Sequence, residues 1–233
     1  MRSRTRKEAS VSPPPDPGAA AGYADRVARQ VPGLRDLHRM VGLLLAERVP
    51  ADGRVLVLGA GGGLALKALA GMRPDWRFDG VDPSADMLRQ ARVTLGDLAA
   101  RVRFCEGTID DAPEGPFDGA TCLLTLHFLP VQERRRTVAE IHRRLKPGAP
   151  FIAVHHSFPN GERDRDRWLA RYAAFAASGV PASRAGQSIA AMKERLPVLS
   201  PDRDIDLLRE AGFVGVELFY GAFTFKRWVG YRG

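Results

Sequence analysis

Apolar residues along the chain fall into short continuous runs that alternate with segments of helical spacing. Val55–Leu58 is the first run, a second ends at Asp82, and further runs lie at 102–105, 120–124 and 151–154. Short runs of this kind are typical of strands buried in a parallel sheet, whereas the apolar residues between them recur at the spacing of an amphipathic helix. This alternation predicts an α/β fold in which helices cover the sheet.

The segments on either side of this alternating region are also predicted to be ordered. Two helices with a bend at Pro32–Gly33 precede the first strand. After the fifth strand, 158–200 interrupts the alternation and is predicted to contain two amphipathic helices. The chain then closes with a helix, a strand, a turn and a strand, predicted at 204–211, 214–219, Tyr220–Gly221 and 223–229.

A glycine-rich turn joins the first strand to the helix that follows it. Gly59 allows a tight turn with positive φ, Gly61 leaves room for a ligand beside the backbone, and Gly63 lets the helix pack closely. The spacing is one residue shorter than that of a dinucleotide fingerprint. Asp82 ends the second strand, where a carboxylate can accept hydrogen bonds from both hydroxyls of a ribose. Together these features favour a nucleoside site over a purely structural turn.

From about Tyr23 to its C-terminus the chain resembles the class I S-adenosylmethionine-dependent methyltransferases. The family's motifs are matched, in order, at 57–63, Asp82, 107–109, 117–128 and 145–149. The resemblance implies a Rossmann-like fold with a seven-stranded mixed sheet whose last strand is antiparallel, helices on both faces, and a helical insertion before the last two strands. It also implies methyltransferase activity with S-adenosyl-L-methionine as the cofactor.

The resemblance further implies which residues surround the cofactor. They lie in the N-terminal helix, the glycine turn and the strand ends: Tyr23, Arg29, Gly59, Ala60, Gly61, Gly63, Asp82, Pro83, Met87, Thr108, Ile109, Leu123 and Leu124. Arg29 can pair with the cofactor carboxylate in a fork geometry, although a place on a solvated helix face stays open. Met87 is expected under the adenine or in the core. Val57 and Thr108 stand where most members carry acidic residues, which leaves the strength of cofactor binding open.

Two alternative functions are also open. The segment from Tyr23 to Gly33 resembles the N-terminal segment of carboxy-S-adenosylmethionine synthases, which act in tRNA wobble modification and fold this segment over the cofactor. That subgroup holds an extra carboxylate with a cation from its insertion, and the matching stretch here, 187–192, contains no Arg or Lys. The unusual Val57 and Thr108 also allow a non-catalytic regulator or complex subunit that binds the cofactor.

Candidates for catalysis and acceptor binding lie at the carboxyl ends of the fourth and fifth strands and in the insertion. His127 and His156 are candidates to orient or deprotonate the acceptor, because histidine titrates near neutral pH. Trp168, Tyr172 and Tyr220 are the candidate acceptor-binding residues, since in this family such an insertion usually forms a lid. These side chains suit a small aromatic or heterocyclic acceptor methylated at oxygen or nitrogen. No metal ligand set is predicted.

Composition narrows the remaining possibilities. The 233 residues suffice for one domain, expected at 21–233, after a flexible arm at 1–20 that is rich in proline and charge. The net charge of +8 is carried mostly by scattered arginines, which disfavours nucleic-acid binding. No apolar run is long enough to cross a bilayer, so we expect no membrane association. Cys105 and Cys122 are expected to be buried free thiols in a cytoplasmic monomer or homodimer.

Overall fold

The computed structural model describes residues 17–176, 192 and 196–233. The helices in these parts of the chain are α1 (Pro17–Gln30), α2 (Leu34–Ala46), α3 (Leu64–Met72), α4 (Ala85–Leu95), α5 (Val131–Arg144), α6 (Glu162–Ala176) and α7 (Pro201–Glu210). The strands are β1 (Arg54–Leu58), β2 (Arg77–Asp82), β3 (Val102–Glu106), β4 (Gly119–Leu123), β5 (Pro150–His156), β6 (Phe213–Ala222) and β7 (Phe225–Arg232). Short 3₁₀ helices lie at Gly96–Arg101 and Leu126–Phe128.

The strands form one seven-stranded sheet in the order β3-β2-β1-β4-β5-β7-β6. The first five strands are parallel, and β7 runs antiparallel to both of its neighbours, β5 and β6. The strand order reverses between β1 and β4, and in open α/β sheets a ligand crevice lies at such a reversal, outside the carboxyl ends of the strands. The predicted mixed sheet with a Rossmann-like arrangement is confirmed.

The core consists of two layers, one on each face of the sheet. Val55 and Val57 pack against one cluster, which includes α2, whereas Leu56 and Leu58 belong to a second cluster, which includes α5. This division follows from the period of two in a strand, which turns successive side chains to opposite faces. A strand buried on both faces must be apolar throughout, which explains the continuous runs in the sequence.

The hairpin at the C-terminus differs from the sequence prediction. The predicted turn at Tyr220–Gly221 is wrong, because both residues pair with β7 in the antiparallel ladder. The turn lies instead at 223–224, where Phe223 has a φ of 49°. Gly221 therefore occupies a ladder position, and two register irregularities in β6 absorb the mismatch between the strands.

The two segments predicted from weak local patterns are only partly described. In the insertion at 158–200, α6 accounts for the first predicted helix, and the second lies mostly outside the described residues. Residues 1–16 of the predicted arm also lie outside them, and α1 begins at Pro17, within the four remaining residues of that arm.

Substitution of Gly63 tests the packing of the glycine turn against α4. Gly63 has a φ of 82°, and a Cβ atom added there would lie 2.9 Å from the Cα of Ala91. We expect Gly63→Ala to lower the free energy of unfolding by at least about 1–2 kcal/mol, because an L-residue is strained in this conformation. The matched control is Gly71→Ala in α3, where a Cβ meets no atom within 4 Å; it should stabilise by about 0.5–1 kcal/mol. Urea unfolding of the two variants measures both effects, and equal stabilities would contradict the proposed packing.

Candidate cofactor and acceptor site

Asp82 connects the elements that meet at the reversal of strand order. Its Oδ2 accepts a hydrogen bond of 2.8 Å from the Gly61 N–H, and its Oδ1 accepts one of 3.0 Å from the Ser84 N–H. Ser84 in turn caps α4, since its hydroxyl accepts from the Met87 N–H. A carboxylate offers about four acceptor positions, so Asp82 keeps lone pairs for ligand hydroxyls after making these two bonds.

A cavity of about 440 Å³ lies beside Asp82 at the carboxyl ends of β1, β2 and β4. Its size is typical of a small-molecule site. Its walls are mainly apolar and are formed by Tyr23, Val27, Leu34, His38, Val57, Gly59, Ala60, Gly61, Leu64, Ala65, Asp82, Pro83, Met87, Leu123, Leu124, Thr125, Phe128 and Leu129. The structure thus brings together nine of the residues implied for the cofactor, namely Tyr23, Gly59, Ala60, Gly61, Asp82, Pro83, Met87, Leu123 and Leu124.

Four residues implied for the cofactor do not line this cavity. Arg29 is exposed near the end of α1. The N–H of the exposed Thr108 donates to Asp111 Oδ2 at 2.9 Å, and its hydroxyl lies 3.4 Å from the same oxygen. Ile109 is buried in the core layer on the α5 side of the sheet, and Gly63 is the N-cap of α3. Thr108 is held by a local turn and is turned toward Asp111 rather than the cavity.

Tyr23 brings α1 over the glycine turn. A Cβ atom at Gly62 would lie 2.4 Å from the Tyr23 ring, so the ring can occupy this position only because residue 62 is glycine. The Gly62 N–H donates to the Tyr23 hydroxyl at 3.5 Å, and burial raises the pKa of Tyr23. The N-terminal helix therefore closes one side of the cavity.

Leu34 and His38 were missed as site residues from the sequence. They lie four positions apart on α2, the helix before β1, and both line the cavity. Their spacing places them on one helix face, which was the available signal. Burial and the nearby charge of Arg227 lower the pKa of His38 to about 4. His38 is therefore neutral at physiological pH.

Leu124 has an unusual backbone conformation at the cavity wall. Its φ of 61° lies in the left-handed region, where a bulky residue is strained. Its N–H donates to the carbonyl oxygen of Val154 at 2.5 Å, which anchors the end of β4 to β5. Strained residues of this kind cluster at ligand-binding and active sites, and Leu124 lines the cavity.

The two histidines predicted for catalysis are buried and are not among the residues that line the cavity. His127 and His156 are 4% and 5% exposed, and their ring centroids are 4.7 Å apart. The His156 N–H donates to His127 Nδ1 at 3.4 Å, and His156 Nδ1 lies 2.8 Å from the Thr224 hydroxyl. Burial lowers the pKa of His156 to about 3 and holds the pKa of His127 well below its usual value. Both rings are therefore neutral, because a proton on either would be a buried charge.

The aromatic residues predicted for the acceptor have separate surroundings. Tyr172 is buried, and Trp168 is partly exposed beneath the Lys226 ammonium, which lies 5.3 Å from its ring centroid. Tyr220 stacks on the Arg227 guanidinium at 3.9 Å. None of the three predicted residues is among those that line the cavity.

Two further properties of the described residues concern membrane-spanning helices and metal-binding groups. None of their helices combines the length and the apolar character needed to span a bilayer. Their His, Cys, Asp and Glu side chains form no group of three or more that could hold a metal ion.

Comparisons with known proteins agree with this geometry. Residues 55–148 match the family described as methyltransferase domain. The carboxy-S-adenosyl-L-methionine synthase of Chromohalobacter salexigens is 28% identical over 222 residues, which cover 93% of this chain and 82% of that protein. An O-methyltransferase family protein from Burkholderia thailandensis shares the fold with a TM-score of 0.63 at 20% identity, over 92% of this chain and 60% of that structure.

Human N-acetylserotonin methyltransferase, solved in complex with S-adenosylmethionine, also shares the fold. Its TM-score is 0.59 at 16% identity, over 94% of this chain and 57% of the human protein, so this chain spans less than two thirds of both structures. The matched domain, the synthase relatives and the shared fold together support a class I S-adenosylmethionine-dependent methyltransferase.

Proposed function

We propose that this methyltransferase acts on a small aromatic or heterocyclic acceptor, at an oxygen or a nitrogen. The observation that carries the proposal is Phe128, which lines the cavity yet is 61% exposed. An exposed aromatic ring at the mouth of an apolar cavity offers a flat surface on which a planar acceptor can stack. A nucleic-acid acceptor would need clustered Arg and Lys at this mouth. Neither residue is among those that line the cavity.

The cavity fits the cofactor at its nucleoside end. Asp82 is placed to accept from the ribose hydroxyls, and Met87 and Pro83 lie beside it on the wall. The glycine turn and Tyr23 enclose the segment next to the ribose. Val57, where an acidic residue is common in the family, makes this part of the wall apolar.

Catalysis in this site rests mainly on positioning. S-adenosylmethionine supplies an electrophilic methyl group on its sulfonium. The chain binds the acceptor beside that group and excludes water, and good orientation alone can contribute about 7–11 kcal/mol to lowering the barrier. A general base works best with a pKa near the working pH. Because the pKa of His156 is about 3 and that of His127 is also lowered, we propose that neither histidine takes a proton from the acceptor. Their role is structural, since the His127 ring packs with its centroid 4.2 Å from that of the Phe128 ring.

A second candidate, carboxy-S-adenosylmethionine synthase activity, has one observation in its favour. The curated relatives with that name match over most of the chain, including 90% of it in the Actinobacillus succinogenes protein at 27% identity. The stretch that lacks a cation, 187–192, lies outside the described residues except for Met192. Mass spectrometry of the reaction products separates the candidates, because the synthase accumulates carboxy-S-adenosylmethionine whereas a methyltransferase releases S-adenosylhomocysteine and a methylated acceptor.

Replacing Asp82 tests the cofactor assignment. Asp82→Asn keeps the shape of the side chain and removes its charge. We expect affinity for S-adenosylhomocysteine to fall about tenfold to a hundredfold, because hydrogen bonds to charged groups contribute about 1.5–3 kcal/mol. Calorimetric titration measures this, with Asp86→Asn on the exposed face of α4 as the matched control. Equal affinity in the parent and Asp82→Asn would show that Asp82 does not hold the ribose.

The buried histidines predict a loss of stability in acid. In the folded chain the pKa values of His127 and His156 lie well below 6.5, whereas in the unfolded chain they return to about 6.5. The unfolded chain therefore binds more protons below that pH, and the free energy of unfolding should fall by about 1.4 kcal/mol per pH unit for each histidine. Melting temperatures between pH 7.5 and 4.5 measure the slope, and His156→Gln should reduce it. An unchanged slope in His156→Gln would contradict the assigned protonation state.

A further inference from the structure

Among the described residues, Arg227 is a buried arginine with no acidic partner. It is 0% exposed, and its Nη2 donates a hydrogen bond of 2.9 Å to the carbonyl oxygen of Pro32. Within the same part of the chain, its Nε and Nη1 have no hydrogen-bond partner. The Tyr220 ring stacks on the guanidinium at 3.9 Å, which compensates part of the charge but satisfies neither free N–H group.

The other fully buried arginines of the described chain are paired differently. Arg134, 1% exposed, forms an ion pair of 2.8 Å with Asp204. Arg144, 2% exposed, pairs with Glu140. Arg227 has no ion pair of this kind, and a buried charge without a partner is strongly unfavourable. Its free Nη1 donor can bond to a carboxylate oxygen, the usual partner of a buried guanidinium.

The position of Arg227 relates it to the cavity. Leu123, Val154 and Arg227 are in register on the adjacent strands β4, β5 and β7. Arg227 lies two residues from both Phe225 and Val229, which belong to the same core layer as Leu123 and Val154, so its side chain is on the cavity side of the sheet. Two strand spacings separate it from Leu123 by about 10 Å, which is within the combined reach of an arginine side chain and a ligand carboxylate.

The α1–α2 bend completes the connection. Pro32, which accepts the hydrogen bond from Arg227, lies two residues before Leu34, and Leu34 and His38 line the cavity. The positive charge of Arg227 contributes to lowering the pKa of His38, so its field reaches the cavity wall. The α1–α2 bend thus contacts Arg227 through Pro32, and the start of α2 reaches the cavity through Leu34 and His38.

We propose that Arg227 binds a ligand carboxylate that enters the cavity past Leu34 and His38. The carboxylate is either that of the cofactor's methionine group or one carried by the acceptor. The inference rests on the proposed cofactor and acceptor site and names the chemical group that this site recognises. Carboxylate binding would supply the missing acceptor for Nη1 and would order the α1–α2 bend through Pro32.

The test compares Arg227→Met, which removes the charge at similar volume, with Arg227→Lys, which keeps it. Calorimetry with S-adenosylhomocysteine and with 5′-methylthioadenosine, which lacks the amino-acid group, examines the cofactor carboxylate. If Arg227 binds it, Arg227→Met lowers the affinity for S-adenosylhomocysteine at least tenfold and leaves the affinity for methylthioadenosine within twofold.

A second experiment examines an acceptor carboxylate. Thermal shift measures the binding of benzoate and of its uncharged isostere benzamide at saturating methylthioadenosine. If Arg227 binds that group, the wild type prefers benzoate at least tenfold and Arg227→Met loses the preference.

Controls separate binding from folding. Arg134→Met leaves Asp204 unpaired, so it should lower the melting temperature without changing either preference. Arg227→Met should melt at or above the wild-type temperature, and Arg227→Lys should restore part of the lost preference. The proposal is overturned if Arg227→Met binds S-adenosylhomocysteine like the wild type and the wild type shows no preference for benzoate. If the wild type binds neither S-adenosylhomocysteine nor methylthioadenosine, the proposed function is refuted. In that case the preference for benzoate over benzamide is measured without nucleoside, and it still tests the role of Arg227.

Discussion

The hydrogen bonds of the Asp82 carboxylate are the interaction on which the site depends. They join the end of β2 to the glycine turn after β1 and to the N-terminus of α4. Two chain segments that are distant in sequence are thereby held at one edge of the sheet. Because the carboxylate is fixed by these bonds, it meets a ligand in one orientation, and little side-chain freedom is lost on binding. Tyr23 then covers the same turn from α1.

The two faces of the sheet differ in how their buried arginines are paired. On the α5 side, Arg134 bonds to Asp204, and His155 lies 3.2 Å from the same carboxylate, so the charges compensate within the protein. On the cavity side, Arg227 has only a carbonyl and an aromatic ring. A buried arginine that is ion-paired within the protein is part of the scaffold, whereas one without an acidic partner is a candidate for a place where a ligand supplies the missing group.

The comparisons and the site address different levels of the function. The family match covers the strands and turns around Asp82 and the glycine turn, where we propose that the cofactor's nucleoside binds. The residues that would distinguish acceptors, such as Phe128 within the matched segment and Arg227 beyond it, depend on local detail that a common fold does not determine. Identifying the acceptor therefore requires binding and activity measurements on variants of these side chains.

The sequence by itself determined the strands, the glycine turn and Asp82, because period and backbone freedom are local properties that survive in any packing. It did not determine the hairpin turn, since Gly221 is compatible with both a turn and a ladder and only pairing with β7 decides between them. It also pointed to His127 and His156 as residues that orient or deprotonate the acceptor, from their chain positions, whereas their burial in the folded chain decides their charge. In the sequence, nothing separates Arg227 from the other scattered arginines. Only the tertiary structure, which buries it and gives it no carboxylate among the described residues, makes it a candidate for ligand recognition.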